Sequence, residues 1–303
     1  MPKIAFLFPG QGAQVLGMGR ELDRDVPAAR ELFDRAGAIL GFDLRSACFD
    51  GPAEALEATD VSQPAIFVAS LAALEGLKAS APEVVASCAG AAGLSLGEFT
   101  ALVFAGALDF EDGLKVVHLR GRAMQAAATA TPSGMTSVLG LEEAAVDLLC
   151  RRVEGHGRLW KANLLGPGNI VVSGDTAALA HLEPIAAELG ASRVIALKVA
   201  GAFHTPLMKP ADDRLAQALA ATPLRPPRLP VYSNVDAALH TDPDDLRRTL
   251  VAQVVGGVRW EESMRRMLAD GFDTFYEVGP GRVLTGLLKR IDRKTPCTSV
   301  PAR

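Results

Sequence analysis

The chain is poor in cysteine, with four in 303 residues. These cysteines are scattered and form no C-x-x-C pair, and the chain is far too long for a small disulfide-rich scaffold. They lie at Cys48, Cys88, Cys150 and Cys297. We therefore expect free thiols and a cytoplasmic protein.

A strong excess of charge is also missing. The chain carries 31 Lys and Arg against 35 Asp and Glu, a formal net charge of −4. Proteins that bind nucleic acid through its phosphates usually display an excess of basic residues. Nucleic acid is therefore not an expected partner.

Long uninterrupted apolar runs are missing as well. The first run, Ile4–Phe8, is short and glycines follow it at once, which does not fit a signal peptide. The apolar stretch Val84–Leu108 carries Glu98 in its middle and is interrupted by glycines. A buried strand, a turn and a buried helix explain this stretch better than a membrane span, so no membrane association is expected.

The first part of the chain has the pattern of an α/β domain. Apolar strands alternate with helical patterns, two of which open with proline, and this order predicts a parallel sheet covered by helices. The predicted elements are strands Lys3–Phe8 and Val84–Ala89 and helices Pro27–Leu40, Pro64–Leu77 and Glu98–Ala107.

The middle of the chain changes pattern. Short strands alternate with helices in the order of a small ferredoxin-like unit. They are Met135–Leu139, Leu141–Arg152, Asn169–Ser173, Thr176–Leu189 and Arg193–Leu197. After Met208 the pattern of the large domain returns, with strands at 229–233 and 274–277. We predict a large domain of residues 1–126 and 203–303 and an inserted small domain of residues 127–202.

Ser95 lies between two glycines in the stretch Gly93-Leu-Ser-Leu-Gly97. A predicted strand precedes this stretch and a helix follows it, which is the context of a nucleophile elbow. There the serine has a strained backbone conformation, and the amide of the next residue, Leu96, faces the position of an oxyanion. The alternative is a serine in an ordinary strand–helix turn.

A serine nucleophile needs a base, and five histidines compete for that role. They are His118, His156, His181, His204 and His240. His204 differs from the others because it lies in a loop directly after the predicted insertion, and loops on a rigid scaffold often carry catalytic groups. The alternative is a structural histidine.

The glycine-rich stretch Phe8-Pro-Gly-Gln-Gly-Ala-Gln14 also follows a strand. It is not a dinucleotide-binding fingerprint, because the position of the third glycine is occupied by Val15. A turn whose amides face the active site is the better interpretation, with Gln11 as a second oxyanion donor.

Arg120 lies among the apolar residues Val116, Val117 and Leu119. A guanidinium held there would bind a carboxylate through two hydrogen bonds. The alternative is a surface arginine on a helix.

Taken together, these pieces resemble one family, the malonyl-CoA:acyl-carrier-protein transacylases of fatty acid synthesis. The similarity covers essentially the whole chain, and nine stretches occur in the family's order. They are Phe8–Gln14, Ser62–Phe67, Gly93–Leu102, Leu119–Gln125, Gly134–Gly140, Ala202–Met208, Pro230–Val235, Gln253–Trp260 and Glu277–Gly281.

The resemblance implies a role for each candidate residue. It implies that Ser95 is the nucleophile and His204 its base, oriented by main-chain carbonyls near Gln253. It also implies that the amides of Gln11 and Leu96 form an oxyanion hole. It further implies that Arg120 clamps the malonyl carboxylate and that Asn163 lines the cleft. Leu94 stands where many relatives carry histidine.

The resemblance also implies an α/β-hydrolase-like large domain with a ferredoxin-like insertion. The substrates it implies are malonyl-CoA and an acyl carrier protein, with no metal or redox cofactor, and we expect a monomer. Three alternatives stay open: a serine hydrolase acting on esters or thioesters, an acyltransferase serving a polyketide synthase in trans, and a non-catalytic docking subunit.

Overall fold

The computed structural model describes residues 2–303, and its larger sheet has five strands. They are β1 (Ile4–Phe8), β2 (Cys88–Gly93), β7 (Val231–Tyr232), β8 (Thr274–Gly279) and β9 (Cys297–Pro301). Their order in the sheet is β7-β2-β1-β8-β9, and all neighbouring strands are parallel. Every residue of β1 is buried, as expected of a strand with neighbours on both sides and helices on both faces.

The helices of the protein fall into three groups along the chain. The first group comprises α1 (Arg20–Asp25), α2 (Pro27–Leu40), α3 (Leu44–Phe49), α4 (Thr59–Ser80), α5 (Pro82–Ala86), α6 (Gly97–Phe104) and α7 (Phe110–Ala130). In the small unit lie α8 (Glu143–Val153), α9 (Thr176–Ala180) and α10 (Leu182–Glu188). The last group comprises α11 (Ala211–Ala220), α12 (Pro243–Val255), α13 (Trp260–Ala269) and α14 (Val283–Ile291). Short 3₁₀ turns occupy Ala53–Glu57, Glu154–His156 and Pro206–Met208.

A separate antiparallel sheet forms the middle of the chain. Its strands are β3 (Ser133–Leu139), β4 (Leu159–Gly166), β5 (Asn169–Asp175) and β6 (Arg193–Ala196), in the order β4-β5-β3-β6. The order strand, helix, two strands, a pair of short helices and a final strand is the ferredoxin-like pattern. The predicted fold class is therefore confirmed.

The sequence pattern missed β4, because that strand has two register irregularities and no regular alternation of buried and exposed residues. The predicted domain boundaries stay a prediction; α7 continues past residue 126 and ends at Ala130.

The predicted strand Val84–Ala89 was wrong. Residues 82–86 form α5, and the strand lies later, at Cys88–Gly93, in a run of small residues with low β-propensity. Tertiary packing overrides that propensity here. A side chain at Gly90 would lie 2.4 Å from the Phe272 ring, so this central strand accommodates only small residues at that point.

The predicted start of a helix at Pro64 was also wrong, because α4 begins at Thr59 and Pro64 lies inside it. The early start depends on a contact distant in sequence: the Thr59 N–H donates to Oε1 of Gln125 on α7 at 3.0 Å. Among residues 2–303, none of the helices combines the length and apolar character needed to cross a membrane.

Candidate active site

Ser95 lies in the tight turn between β2 and α6. Its φ is 51°, in the left-handed region that residues other than glycine rarely adopt. The flanking glycines permit the turn: a Cβ on Gly93 would lie 1.9 Å from the backbone of Gly97, and one on Gly97 would lie 2.0 Å from the Phe8 carbonyl oxygen. The backbone therefore has the strained geometry expected of a nucleophile elbow.

Asn234 fixes this turn from the loop after β7. Its Oδ1 accepts the Ser95 N–H at 2.6 Å, and its Nδ2 donates to the Gly93 carbonyl at 2.7 Å. Sequence reasoning missed Asn234. The only signal available was its place in the stretch Pro230–Val235, just after a short strand.

His204 is brought to the serine from the loop after β6. Its Nε2 lies 2.9 Å from Ser95 Oγ, and its Nδ1 lies 2.7 Å from the main-chain carbonyl oxygen of Gln253. A carbonyl only accepts, so Nδ1 carries the proton and Nε2 is free to accept from the serine hydroxyl. Burial, together with the charge of Arg120, lowers the pKa of His204 to about 4, so the imidazole is neutral at pH 7. His204 also has a positive φ of 61°.

Arg120 is buried rather than surface-exposed, with 1 % of its surface accessible. From α7, Nη1 donates to Oε1 of Gln63 at 2.7 Å, and Nη2 donates to Oε1 of Gln253 at 2.8 Å and to Ser95 Oγ at 3.0 Å. Its Nε has no hydrogen-bond partner among the described residues. Burial lowers the pKa of Arg120 to about 10, which still leaves the guanidinium charged at neutral pH. A buried cation with an unused donor is suited to binding an anion.

Gln11 and Leu96 line the same cleft. Among residues 2–303, neither main-chain N–H donates to another protein group, which leaves both available to an oxyanion. Asn163 on β4 also lines the cleft, and its buried Oδ1 has no partner in the described part of the chain. The structure thus brings together every site residue predicted from the sequence. Gln253 lies behind the cleft wall, where its side chain contacts Arg120 and its main-chain oxygen contacts His204.

The cleft has a volume of about 90 Å³ and lies between the two sheets. Apolar side chains complete its wall, among them Met124, Met135 and Phe203. Leu94 belongs to this wall and packs into an apolar cluster with Leu7 and Tyr232. The arrangement combines a hydroxyl, a neutral imidazole, unused backbone donors and a cation, which are the parts needed for acyl transfer from a substrate bearing a carboxylate.

Two further polar residues were missed by sequence reasoning. Gln63 is the sole anchor of Arg120 Nη1 in the described residues, and Glu98 accepts hydrogen bonds from Gln253 and Asn234. Both are buried polar side chains that adjoin apolar runs, and that contrast was the available signal. Residues 2–303 contain no group of three or more His, Cys, Asp or Glu side chains placed to hold a metal ion.

Comparisons with known proteins agree with this geometry. The sequence model of the acyl transferase domain family matches residues 5–302 of this chain. The chain is 43% identical to the malonyl CoA-acyl carrier protein transacylase of Bacillus subtilis, over 99% of this chain and 94% of the relative.

Among solved structures, the chain is similar to the acyl-carrier-protein S-malonyltransferase of Bartonella henselae, with a TM-score of 0.94, 36% identity and coverage of 98% and 95% of the two chains. It is also similar to a malonyl-transacylase in complex with a type II polyketide-synthase acyl carrier protein, with a TM-score of 0.92, 35% identity and coverage of 99% and 95%. The chain belongs to the acyl transferase family, among the malonyl-CoA:acyl-carrier-protein transacylases.

Proposed function

We infer that the protein transfers the malonyl group of malonyl-CoA to the phosphopantetheine thiol of an acyl carrier protein, with Ser95 as the nucleophile. One observation carries the assignment of residues. Ser95 Oγ lies 2.9 Å from His204 Nε2 and 3.0 Å from Nη2 of the buried Arg120, in a cleft between the two sheets. These contacts support His204 as the base that activates Ser95 and Arg120 as the cation that binds the substrate carboxylate.

In the first half-reaction, His204 Nε2 takes the proton of Ser95 as Oγ attacks the thioester carbonyl. The C–S bond breaks, coenzyme A leaves with the proton returned by His204, and a malonyl ester remains on the serine. In the second half-reaction, His204 takes the proton of the carrier thiol, whose sulfur attacks the ester, and the proton returns to Ser95. No electrons are gained or lost, so the chemistry requires no redox cofactor.

The neutral state of His204 suits this role. Because burial and Arg120 keep the pKa of His204 near 4, nearly every molecule has an imidazole ready to accept a proton at pH 7. The main-chain carbonyl of Gln253 holds the Nδ1–H and would stabilise the imidazolium that forms.

Arg120 is proposed to select the acyl group. Its unused Nε donor, and the donor now directed at Ser95 Oγ, are available to the terminal carboxylate of a malonyl group. An acetyl group offers no such acceptor and would leave the cation unpaired. The free amides of Gln11 and Leu96 are proposed as the oxyanion hole. Asn163 is proposed as a further contact for the substrate.

The experiment that tests this function has two steps. Protein mixed with malonyl-CoA should form a malonyl adduct, and addition of a holo acyl carrier protein should remove the adduct faster than water does. Rapid loss of the adduct to water without transfer would instead indicate a serine thioesterase. A fatty-acid carrier and a type II polyketide carrier tested side by side would distinguish the two pathways, since one similar structure contains a polyketide carrier.

We further propose that the protein works as a cytoplasmic monomer. The four free cysteines fit a reducing compartment. Light scattering of the purified protein tests the oligomeric state.

A further inference from the structure

Glu98 is a buried carboxylate that has no part in the proton transfers proposed above. Its exposed fraction is 2 %, and it lies three residues after Ser95, in the first turn of α6. Burial of a carboxylate costs free energy unless hydrogen-bond donors surround it. The favourable direction of the dipole at a helix N-terminus offsets part of that cost.

The hydrogen bonds of Glu98 fit its anionic form. Its Oε2 accepts from Nε2 of Gln253 at 2.6 Å and from the main-chain N–H of Asn234 at 3.2 Å. Both partners are donors, and an ionised carboxylate only accepts. The carboxylate therefore favours the orientation of the Gln253 amide in which Nε2 faces Glu98.

The amide of Gln253 contacts the reacting groups on both sides. Nε2 also donates to the Ser95 carbonyl at 3.1 Å, and Oε1 accepts from Arg120 Nη2 at 2.8 Å. The main-chain oxygen of the same residue accepts from His204 Nδ1 at 2.7 Å. Reversal of this amide would direct an NH₂ group at the Arg120 guanidinium, which is also a donor.

Asn234, the second partner, holds the backbone of the nucleophile. Its main-chain N–H is bound to Glu98, and its side chain bridges the Ser95 N–H and the Gly93 carbonyl. A single carboxylate oxygen thus supports both residues that fix the serine elbow.

We propose that Glu98 is a positioning residue: its carboxylate orients Gln253 and Asn234, and through them it fixes the serine and the histidine of the site. The proposal rests on the proposed function, because its readout is acylation of Ser95. It predicts that loss of the negative charge slows acylation without weakening the binding of malonyl-CoA.

The charged group that faces Glu98 is Arg120 on α7, whose charge lowers the pKa of this carboxyl. Burial raises the pKa of Glu98 to about 7, against the hydrogen bonds that lower it. The carboxylate therefore takes up a proton as the pH falls through about 7, whereas His204 stays neutral until about pH 4. Glutamine at position 98 imitates the protonated state.

The test compares Glu98→Gln with the wild type by rapid mixing with malonyl-CoA. We expect acylation to slow about 10- to 100-fold, the effect of displacing reacting groups by up to about 1 Å. KM for malonyl-CoA should stay equal or fall, because Arg120 loses a competing anion. The wild-type rate should decline toward the variant's rate as the pH is lowered through 7, while the variant's rate stays level from pH 8 to 6.

A matched control is Glu277→Gln. Glu277 is also buried, but it accepts its hydrogen bonds from Leu284 and Thr285 at the start of α14. This variant should lose thermal stability and keep the wild-type acylation rate and pH profile. Equal acylation rates and pH profiles in the wild type and Glu98→Gln would overturn the proposal, whereas a wild type that is not malonylated at all would overturn the proposed function.

A second comparison does not require Glu98→Gln to fold on its own. The double variant Arg120→Gln, Glu98→Gln removes both buried charges, which is tolerated better than removing one. The comparison is made well above pH 7, because Glu98 takes up its proton at a higher pH once Arg120 is removed. With acetyl-CoA, which makes no use of the arginine clamp, the double variant should then acylate at least about 10-fold more slowly than Arg120→Gln alone. Equal rates would contradict the proposed support of the serine elbow.

Discussion

Replacing Arg120 with glutamine tests how the site selects its acyl group. Glutamine keeps a polar side chain beside Gln63 and Gln253 but removes the charge and the unused Nε donor. A hydrogen bond to a charged group contributes about 1.5–3 kcal/mol. Since about 1.4 kcal/mol corresponds to a factor of ten, the ratio of malonyl to acetyl transfer should fall by roughly 10- to 150-fold.

The assay measures kcat/KM for Ser95 acylation with malonyl-CoA and acetyl-CoA in competition. The control is Arg122→Gln, which removes an exposed arginine from the same helix and should leave the ratio unchanged. Because Arg120 helps to keep the pKa of His204 low, the loss of activity in acid should also begin at a higher pH in Arg120→Gln. An unchanged ratio, with both rates reduced equally, would show that Arg120 is only structural.

Three further predictions follow from the geometry of the site. His204→Gln should slow acylation by roughly 10²- to 10⁴-fold, measured by rapid quenching, and a near-normal rate would exclude His204 as the base. The pKa of His204 is about 4 in the folded protein and 6.5 in the unfolded chain, so the unfolded chain binds the proton first as the pH falls. The free energy of unfolding of the wild type should therefore decline relative to that of His204→Gln between pH 6.5 and 4. Urea titrations that show a constant difference between the two proteins would contradict this. Gly97→Ala should prevent folding or lower the melting temperature sharply, because the new Cβ would lie 2.0 Å from the Phe8 carbonyl oxygen. Gly286→Ala is the control and should leave the melting temperature nearly unchanged, because the space around this position in α14 is open. Equal melting temperatures for the two variants would refute the packing argument.

The parts of the site carried by local sequence patterns could be predicted. The two glycines around Ser95 have a local steric reason, because each packs against backbone that would clash with a Cβ. His204 was identified by its position after the insertion, and its proximity to Ser95 depends on how the chain returns from the small sheet. The sequence was sufficient to identify both residues. It was not sufficient to predict that Ser95 Oγ and His204 Nε2 lie 2.9 Å apart.

The residues that sequence reasoning missed act through contacts between distant parts of the chain. Asn234 and Glu98 are 136 residues apart, and Arg120 and Gln63 are 57 residues apart, so no local pattern connects them. Glu98 was visible only as a charge that argues against a membrane span. Its function depends on donors supplied by α12 and by the loop after β7.

The errors in the predicted elements have the same cause. Strand β2 consists of small residues that local propensity does not favour in strands, and the packing of Phe272 leaves no room for a side chain at one of them, Gly90. Helix α4 starts before its proline because Gln125 on α7 accepts the Thr59 N–H. In both places tertiary contacts override the local signal.

The central claim is that malonyl-CoA acylates Ser95, and intact-protein mass spectrometry tests it most directly. After brief exposure to malonyl-CoA, the wild type should gain one malonyl group, located on Ser95 by peptide mapping, and a holo acyl carrier protein should remove it. Ser95→Ala should gain nothing. Equal labelling of the wild type and Ser95→Ala, or an adduct mapped to another residue, would contradict the account.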